Sequence, residues 1–378
     1  MADAPQREVL EEYFQNVPLD VEAETDSEDE ERGLPWEPDA IRVSSRNFSL
    51  RNVLDMIEEK ELELAPDFQR NQVWKLPQKC GLIESILLQI PLPAFYFAQD
   101  KDGTMKVIDG LQRLSTAYDF ARGNAYALSH LEYLTAEEGK HFDELSPVWR
   151  RRFNQTQLVV HVIDPQTPAQ VKYDIFKRIN TGGTPLNAQE IRHCLTSDRC
   201  RDFLKRCAGM PVFLGTVGET FRNHVRMVDR ELVLRFCAFR LLGPDSYRGA
   251  MDPYLDEAAA WIDDPGRTSP EDLDLLAADF KRAMGWANAV FGQHAFRKWP
   301  IGTDRLFPLN RPLFESWAVA FAEAERAGIS IDAQRIVDGA RALMTDDQEY
   351  VDAISSSTGG TAKVRYRLAK AQALVVGE

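Results

Sequence analysis

Residues 105–121, MKVIDGLQRLSTAYDFA, change periodicity part-way along. Met105 to Ile108 is a short apolar run of strand character, whereas Leu114, Ala117, Tyr118 and Ala121 recur at the spacing of a helix with one buried face. Asp109-Gly110 stands at the change and Gly123-Asn124 ends the helix. The stretch therefore predicts a strand, a glycine turn and a helix start. The unpaired amides of such a helix start attract anions.

Working outward, Ala94 to Ala98 is a second apolar run, joined to the first through Asp102-Gly103, which predicts an antiparallel hairpin. Before it lies a helix with Pro77 in its first turn and Cys80, Ile83, Ile86 and Leu87 facing inward, stopped by Pro91 and Pro93. Further upstream, Ser49-Leu50-Arg51-Asn52 opens a helix that buries Leu50, Val53, Leu54 and Ile57, and Glu61 to Leu64 reads as extended. Downstream, Gln157 to Ile163 is a strand, and Thr167-Pro168-Ala169-Gln170 starts a helix reaching Arg178. After the loop INTGGTPL, Asn187 and Glu190 cap the next helix, with Leu186 and Ile191 as its hydrophobic staple. From about Cys200 only helical patterns follow, ending in a basic helix whose Lys363, Arg365, Arg367 and Lys370 read as a solvated face.

With 44% hydrophobic and 28% charged residues over 378 positions, the chain fits neither wholesale disorder nor a fibrous class, and it is long enough for two domains. No apolar run approaches a membrane span and the N-terminus is acidic, so no membrane partner and a cytoplasmic address are expected. Cys80, Cys194, Cys200, Cys207 and Cys237 contain no CxxC pair, which argues against a disulfide framework. His193 and the cysteines near it match no standard zinc spacing. Of the net charge of −14, residues 1–40 carry −12, so the rest is nearly neutral and a strongly basic nucleic-acid surface is excluded, though not a local basic cleft. VEAETDSEDEER, residues 21–32, repels itself and predicts a disordered acidic tail.

The chemistry gathers at Asp109-Gly110-Leu111-Gln112-Arg113. A first-turn arginine opposes the helix dipole, costing some tenths of a kcal/mol unless an anion or carboxylate rests beside it. Gly110 lets a ligand approach the backbone, Ser115 and Thr116 add hydroxyls, and Asp109 can hold a metal ion or orient a water. Against this stands a plain reading in which Asp109 caps the helix and Arg113 pairs with a neighbouring acid. Gln69 and Arg70 lie in a loop where the guanidinium can clamp a phosphate while Trp74 stacks on a base, or form only an ion pair beside a core indole. Arg178, Asn180, Thr181, Gly182 and Gly183 can form an anion-binding concavity, or be only a helix connector. There is no GxxxxGK[ST] loop and no HExxH.

APDFQRNQVWKLPQ, LIESILLQIPLP, VIDGLQRLSTAYDF and IFKRINTGGTPLNAQEIRH, in that order, resemble the N-terminal domain family of GmrSD restriction endonucleases, over roughly Leu50 to Leu195. RELVLRFCAFRLL and LNRPLFESW resemble the helical extension of its stand-alone members. The resemblance implies an α+β, ParB/sulfiredoxin-like domain followed by an all-helical domain. The expected division is an acidic tail over 1–40, a nucleotide-binding domain over 41–198 and a helical domain over 199–378. It further implies that Asp109, Gly110, Gln112 and Arg113, matching the family's DGQQR, bind and hydrolyse a nucleoside triphosphate with Mg²⁺ in defence against phage DNA. Gln69 and Arg70 match its FQR, and Arg178, Asn180, Gly182 and Gly183 its RINTGG. Leu111 departs from the motif, and no HNH nuclease module is recognisable, so a separate nuclease subunit or a homo-oligomer is an expected partner. A noncatalytic DNA- or protein-binding adaptor and a DNA nickase using the same cleft are the alternatives.

Overall fold

The computed structural model describes residues 10–14, 16–24, 41–64, 74–100, 102–179 and 186–377. They fall into two compact units. Pro35–Leu195 forms one, and Met1–Leu34 joins Thr196–Glu378 in the other.

The chain begins in the second unit. β1 (Glu11–Phe14) and β2 (Val17–Glu22) form an antiparallel hairpin. An acidic tail without order was expected over 1–40, and for these residues that expectation is corrected. Val21 is fully buried in the helical core and forms a parallel bridge to Leu309. The acidic side chains find cations: Glu12 pairs with Arg311 at 2.7 Å, Asp20 with Arg297 at 2.7 Å, Glu22 with Lys298, and Glu24 with Arg235 at 2.7 Å. Glu12, Asp20, Glu22 and Glu24 are neutralised by partners more than 200 residues away, which local patterning does not reveal.

The α+β unit is built on a five-stranded mixed sheet of order β3-β7-β5-β6-β4. Its elements run β3 (Val43–Ser49), α1 (Leu50–Glu58), β4 (Leu62–Glu63), α2 (Leu76–Leu87), β5 (Phe95–Gln99), β6 (Met105–Asp109), α3 (Leu111–Ala121), α4 (Pro147–Gln155), β7 (Gln157–Ile163), α5 (Ala169–Ile179) and α6 (Ala188–Leu195). β5 and β6 are the expected hairpin, with Gly103 at φ +96° in its turn. β7 then returns parallel to β5 and antiparallel to β3. Leu158, Val160 and Val162 of β7 are buried beside Phe95 and Phe97, while Val159 is 42% exposed, the alternation of a half-covered strand. Ser49 caps α1 by accepting from Asn52 N. Asn187 and Glu190 form the expected reciprocal box: Asn187 N donates to Glu190 Oε2 at 2.7 Å and Glu190 N to Asn187 Oδ1 at 2.8 Å.

One carboxylate ties α2 to the loop before α4. Glu84 is buried and accepts backbone N–H bonds from Glu132, Tyr133 and Leu134 at 3.1, 2.7 and 2.8 Å. Burial by itself would raise its pKa, but the three donors outweigh it and hold the carboxyl below the ordinary value of 4.5. A folded pKa below the unfolded one means that this stabilisation is complete above pH 4.5 and lost as pH falls through the lower, folded value. Glu84→Gln is expected to cost about 2 kcal/mol at pH 7, the worth of charge-assisted hydrogen bonds. The gap between the melting temperatures of the two proteins should narrow as pH falls below 4.5, and a gap of constant size would contradict this account.

The helical unit comprises α7 (Asp198–Ala208), α8 (Pro211–Val217), α9 (Val228–Leu241), α10 (Met251–Asp263), α11 (Pro270–Phe291), α12 (Arg311–Ala327), α13 (Ala333–Asp346), α14 (Gln348–Ser355) and α15 (Thr361–Val376). No helix among the described residues is long and apolar enough to cross a membrane. α15 departs from the expected solvated face, because Arg367 is 1% exposed. It donates to Glu315 Oε2 at 2.5 Å and to the carbonyls of Thr358 and Ala353 at 2.6 and 3.2 Å. Glu315, fully buried on α12, also accepts from Arg235 of α9.

Candidate functional site

β6 ends at Asp109, and Gly110 turns the chain into α3 with φ 96° and ψ 8°, a left-handed conformation that suits glycine. Arg113 lies one turn into the helix and reaches back. Its Nη2 donates to Asp109 Oδ2 at 2.9 Å and to the Ala94 carbonyl at 3.3 Å, and its Nη1 donates to the Pro93 carbonyl. The guanidinium lies over the Phe95 ring, 4.2 Å from its centroid. Burial lowers the Arg113 pKa from its ordinary value and the Asp109 carboxylate offsets only part of that; a guanidinium remains charged at neutral pH regardless.

This geometry bears on two sequence expectations. The first-turn cation has an internal carboxylate beside it, as in the plain reading of the sequence, so the dipole penalty is met by Asp109. Gly110 was expected to open the backbone to a ligand, yet a Cβ placed there would lie 2.2 Å from Phe95 Cδ1 and 3.1 Å from Arg113 Nη2. Its missing side chain makes room for the ring and guanidinium of the site itself.

The remaining predicted residues divide. Gln112 and Ser115 are partly exposed on α3, and Arg178 is exposed near the end of α5. Thr116 is corrected: at 1% exposure it faces the core, one helical turn before the buried Phe120. Leu111, where the family motif carries glutamine, is 4% exposed and also packs inward, so its side chain adds no polar group to the corner. Gln69, Arg70, Asn180, Thr181, Gly182 and Gly183 lie outside the described residues. The structure thus brings Asp109, Gly110 and Arg113 together.

Asp109 keeps about one third of its side chain exposed, and Oδ1 has no partner among the described residues. Its neighbours across the sheet escaped the sequence reading. Tyr96 is the register partner of Asp109 on one side and of His161 on the other, and His161 in turn faces Ser45. The Tyr96 and His161 rings are 4.9 Å apart at 38°. The available signal was the alternation in QLVVHVI, which puts His161 on the less buried face of its strand. The missing information was which strand lies alongside.

The five cysteines are free and buried, and no cluster of three or more His, Cys, Asp or Glu able to hold a metal occurs among the described residues. Residues 50–197 match the family model described as GmrSD restriction endonuclease, N-terminal domain. This segment is a GmrSD N-terminal domain. The match spans α1 to α6 and leaves β1, β2, β3 and nearly all of the helical unit outside it. Within the GmrSD N-terminal domain, the Asp109 to Arg113 corner occupies the junction of an inner sheet strand and a helix start. Comparison with curated proteins gave no match.

Proposed function

We propose that the GmrSD N-terminal domain binds a nucleoside triphosphate at the Asp109 corner and hydrolyses it, as the nucleotide-dependent part of a DNA restriction or defence activity. The observation that carries this reading is the one-third exposed Asp109 carboxylate, fixed through one oxygen by Arg113 and with the other unpartnered, beside the first turn of α3. A site built this way places a rigid negative group next to unpaired amides. The amides of Leu111, Gln112 and Arg113 have no acceptor within the helix and suit phosphate oxygens. Asp109 Oδ1 is left to accept a proton from an attacking water or to hold Mg²⁺.

One carboxylate suits Mg²⁺, which commonly takes one or two protein oxygens and completes its shell with phosphates and water. When bound, the ion would neutralise charge on the phosphates. Arg113 acts here as a positioning residue, since its donors already serve Asp109 and the two carbonyls. Orientation and preorganised charge would supply most of the rate. Calorimetry with ATP, GTP, CTP and UTP plus Mg²⁺, paired with phosphate release, tests the reading. At least one nucleotide is expected to bind and turn over, and Asp109→Asn is expected to abolish turnover with little change in melting temperature. Absence of binding for every nucleotide would overturn it.

The engaged state of Arg113 favours a second reading, a domain that keeps the fold and binds DNA or a protein without turnover. DNA binding that persists with no phosphate released would select it.

A further inference from the structure

We propose that Tyr96 and His161 form a stacking platform for the base of the nucleotide, so that the site takes aromatic-base nucleotides in preference to bare polyphosphates. This rests on the nucleotide reading above and names the part of the ligand that reading leaves unplaced. Cross-strand partners carry their side chains on one face of a sheet. Tyr96 and His161 therefore share a face across β5 and β7, and Asp109 ends β6 as the register partner of Tyr96, past a register shift between Tyr96 and Phe97.

At the usual strand spacing, His161 lies roughly 10 Å from Asp109. That is within reach of a nucleotide whose phosphates rest at the corner. The two rings adjoin at 4.9 Å and both are only partly buried, although the strand neighbours Phe95, Phe97, Val160 and Val162 are at most 1% exposed. Val159, on the same face of β7 as His161, extends the apolar area at 42% exposure. Neither the Tyr96 hydroxyl nor the His161 ring nitrogens have a hydrogen-bond partner among the described residues, so their polar atoms are available to the edge of a base. Aromatic side chains on a partly open sheet face, next to a phosphate-binding corner, provide stacking with polar atoms at the rim.

The experiment compares two probes on the full chain: inorganic tripolyphosphate, and whichever of ATP, GTP, CTP or UTP binds most tightly. The wild type is expected to bind the nucleotide more tightly than tripolyphosphate. Tyr96→Ala and His161→Ala should each weaken nucleotide binding about tenfold, the scale of one lost base-aromatic stack, and leave tripolyphosphate unchanged. Tyr96→Phe keeps the ring and should retain nucleotide affinity, which guards against a variant that merely misfolds. Equal loss for both probes, or no loss for either, would overturn the platform while leaving the phosphate corner standing. A wild type that binds neither probe removes both proposals.

Discussion

Glu315→Ala is expected to lower the melting temperature of the helical unit by about 10 °C. The carboxylate is fully buried on α12 between Arg235 and Arg367, which are 4% and 1% exposed. Truncating it leaves two buried guanidiniums short of an acceptor, and breaking a buried ion pair from one side costs about 3–5 kcal/mol. Arg235 retains Glu231 at 2.8 Å and Glu24 at 2.7 Å, whereas Arg367 retains, among the described residues, only the carbonyls of Thr358 and Ala353. The damage should therefore centre on α15. Glu315→Gln, which preserves volume and one acceptor, should lose less. Calorimetric scans decide the matter: at roughly 2–4 °C per kcal/mol for a unit of this size, a fall below about 3 °C would mean that the pair is not coupled to folding as described.

Gly110→Ala should cost roughly 2–5 kcal/mol, and Gly103→Ala markedly less. Both glycines sit at φ +96°, so both substitutions carry a left-handed strain of about 1–2 kcal/mol. Gly103 has nothing within 4 Å of the position a Cβ would take, so strain is its whole cost. At Gly110 the new methyl would lie 2.2 Å from Phe95 Cδ1. Phe95 is 1% exposed and cannot yield freely, which adds an overpacking cost of about 1–3 kcal/mol. Displacing that ring also removes the surface on which Arg113 lies, so Asp109 should lose its fixed position along with stability. Denaturant titration of the two variants measures the difference, and equal costs would show that the ring is free to move.

Much of the α+β unit was legible because its signals are local. The change of period at Asp109-Gly110, the Asp102-Gly103 turn and the Asn187 to Glu190 cap each depend on a few consecutive residues, and each appears in the structure. The corner itself was half legible. The strand, turn and helix were foreseeable, but Arg113 turning back onto Asp109 depends on which rotamer the carbonyls of Pro93 and Ala94 reward. Thr116 was misplaced because a helix face read from four apolar letters is uncertain by one position, and Leu111 with Phe120 shifts it. Strand order, which puts His161 beside Tyr96, is a long-range property that no local pattern encodes. Glu12, Asp20, Glu22 and Glu24 misled for the same reason, since their counter-charges lie more than 200 residues along the chain.

That last feature bears on how the protein can be dissected. Because β1, β2 and Glu24 just after them contribute the buried Val21 and the carboxylates facing Arg235, Arg297, Lys298 and Arg311, a fragment cut at residue 196 would carry an incomplete core and a surplus of cations. A workable excision of the helical unit would therefore splice the first two dozen residues onto Thr196, leaving the intervening stretch to be expressed as an insert in its own right.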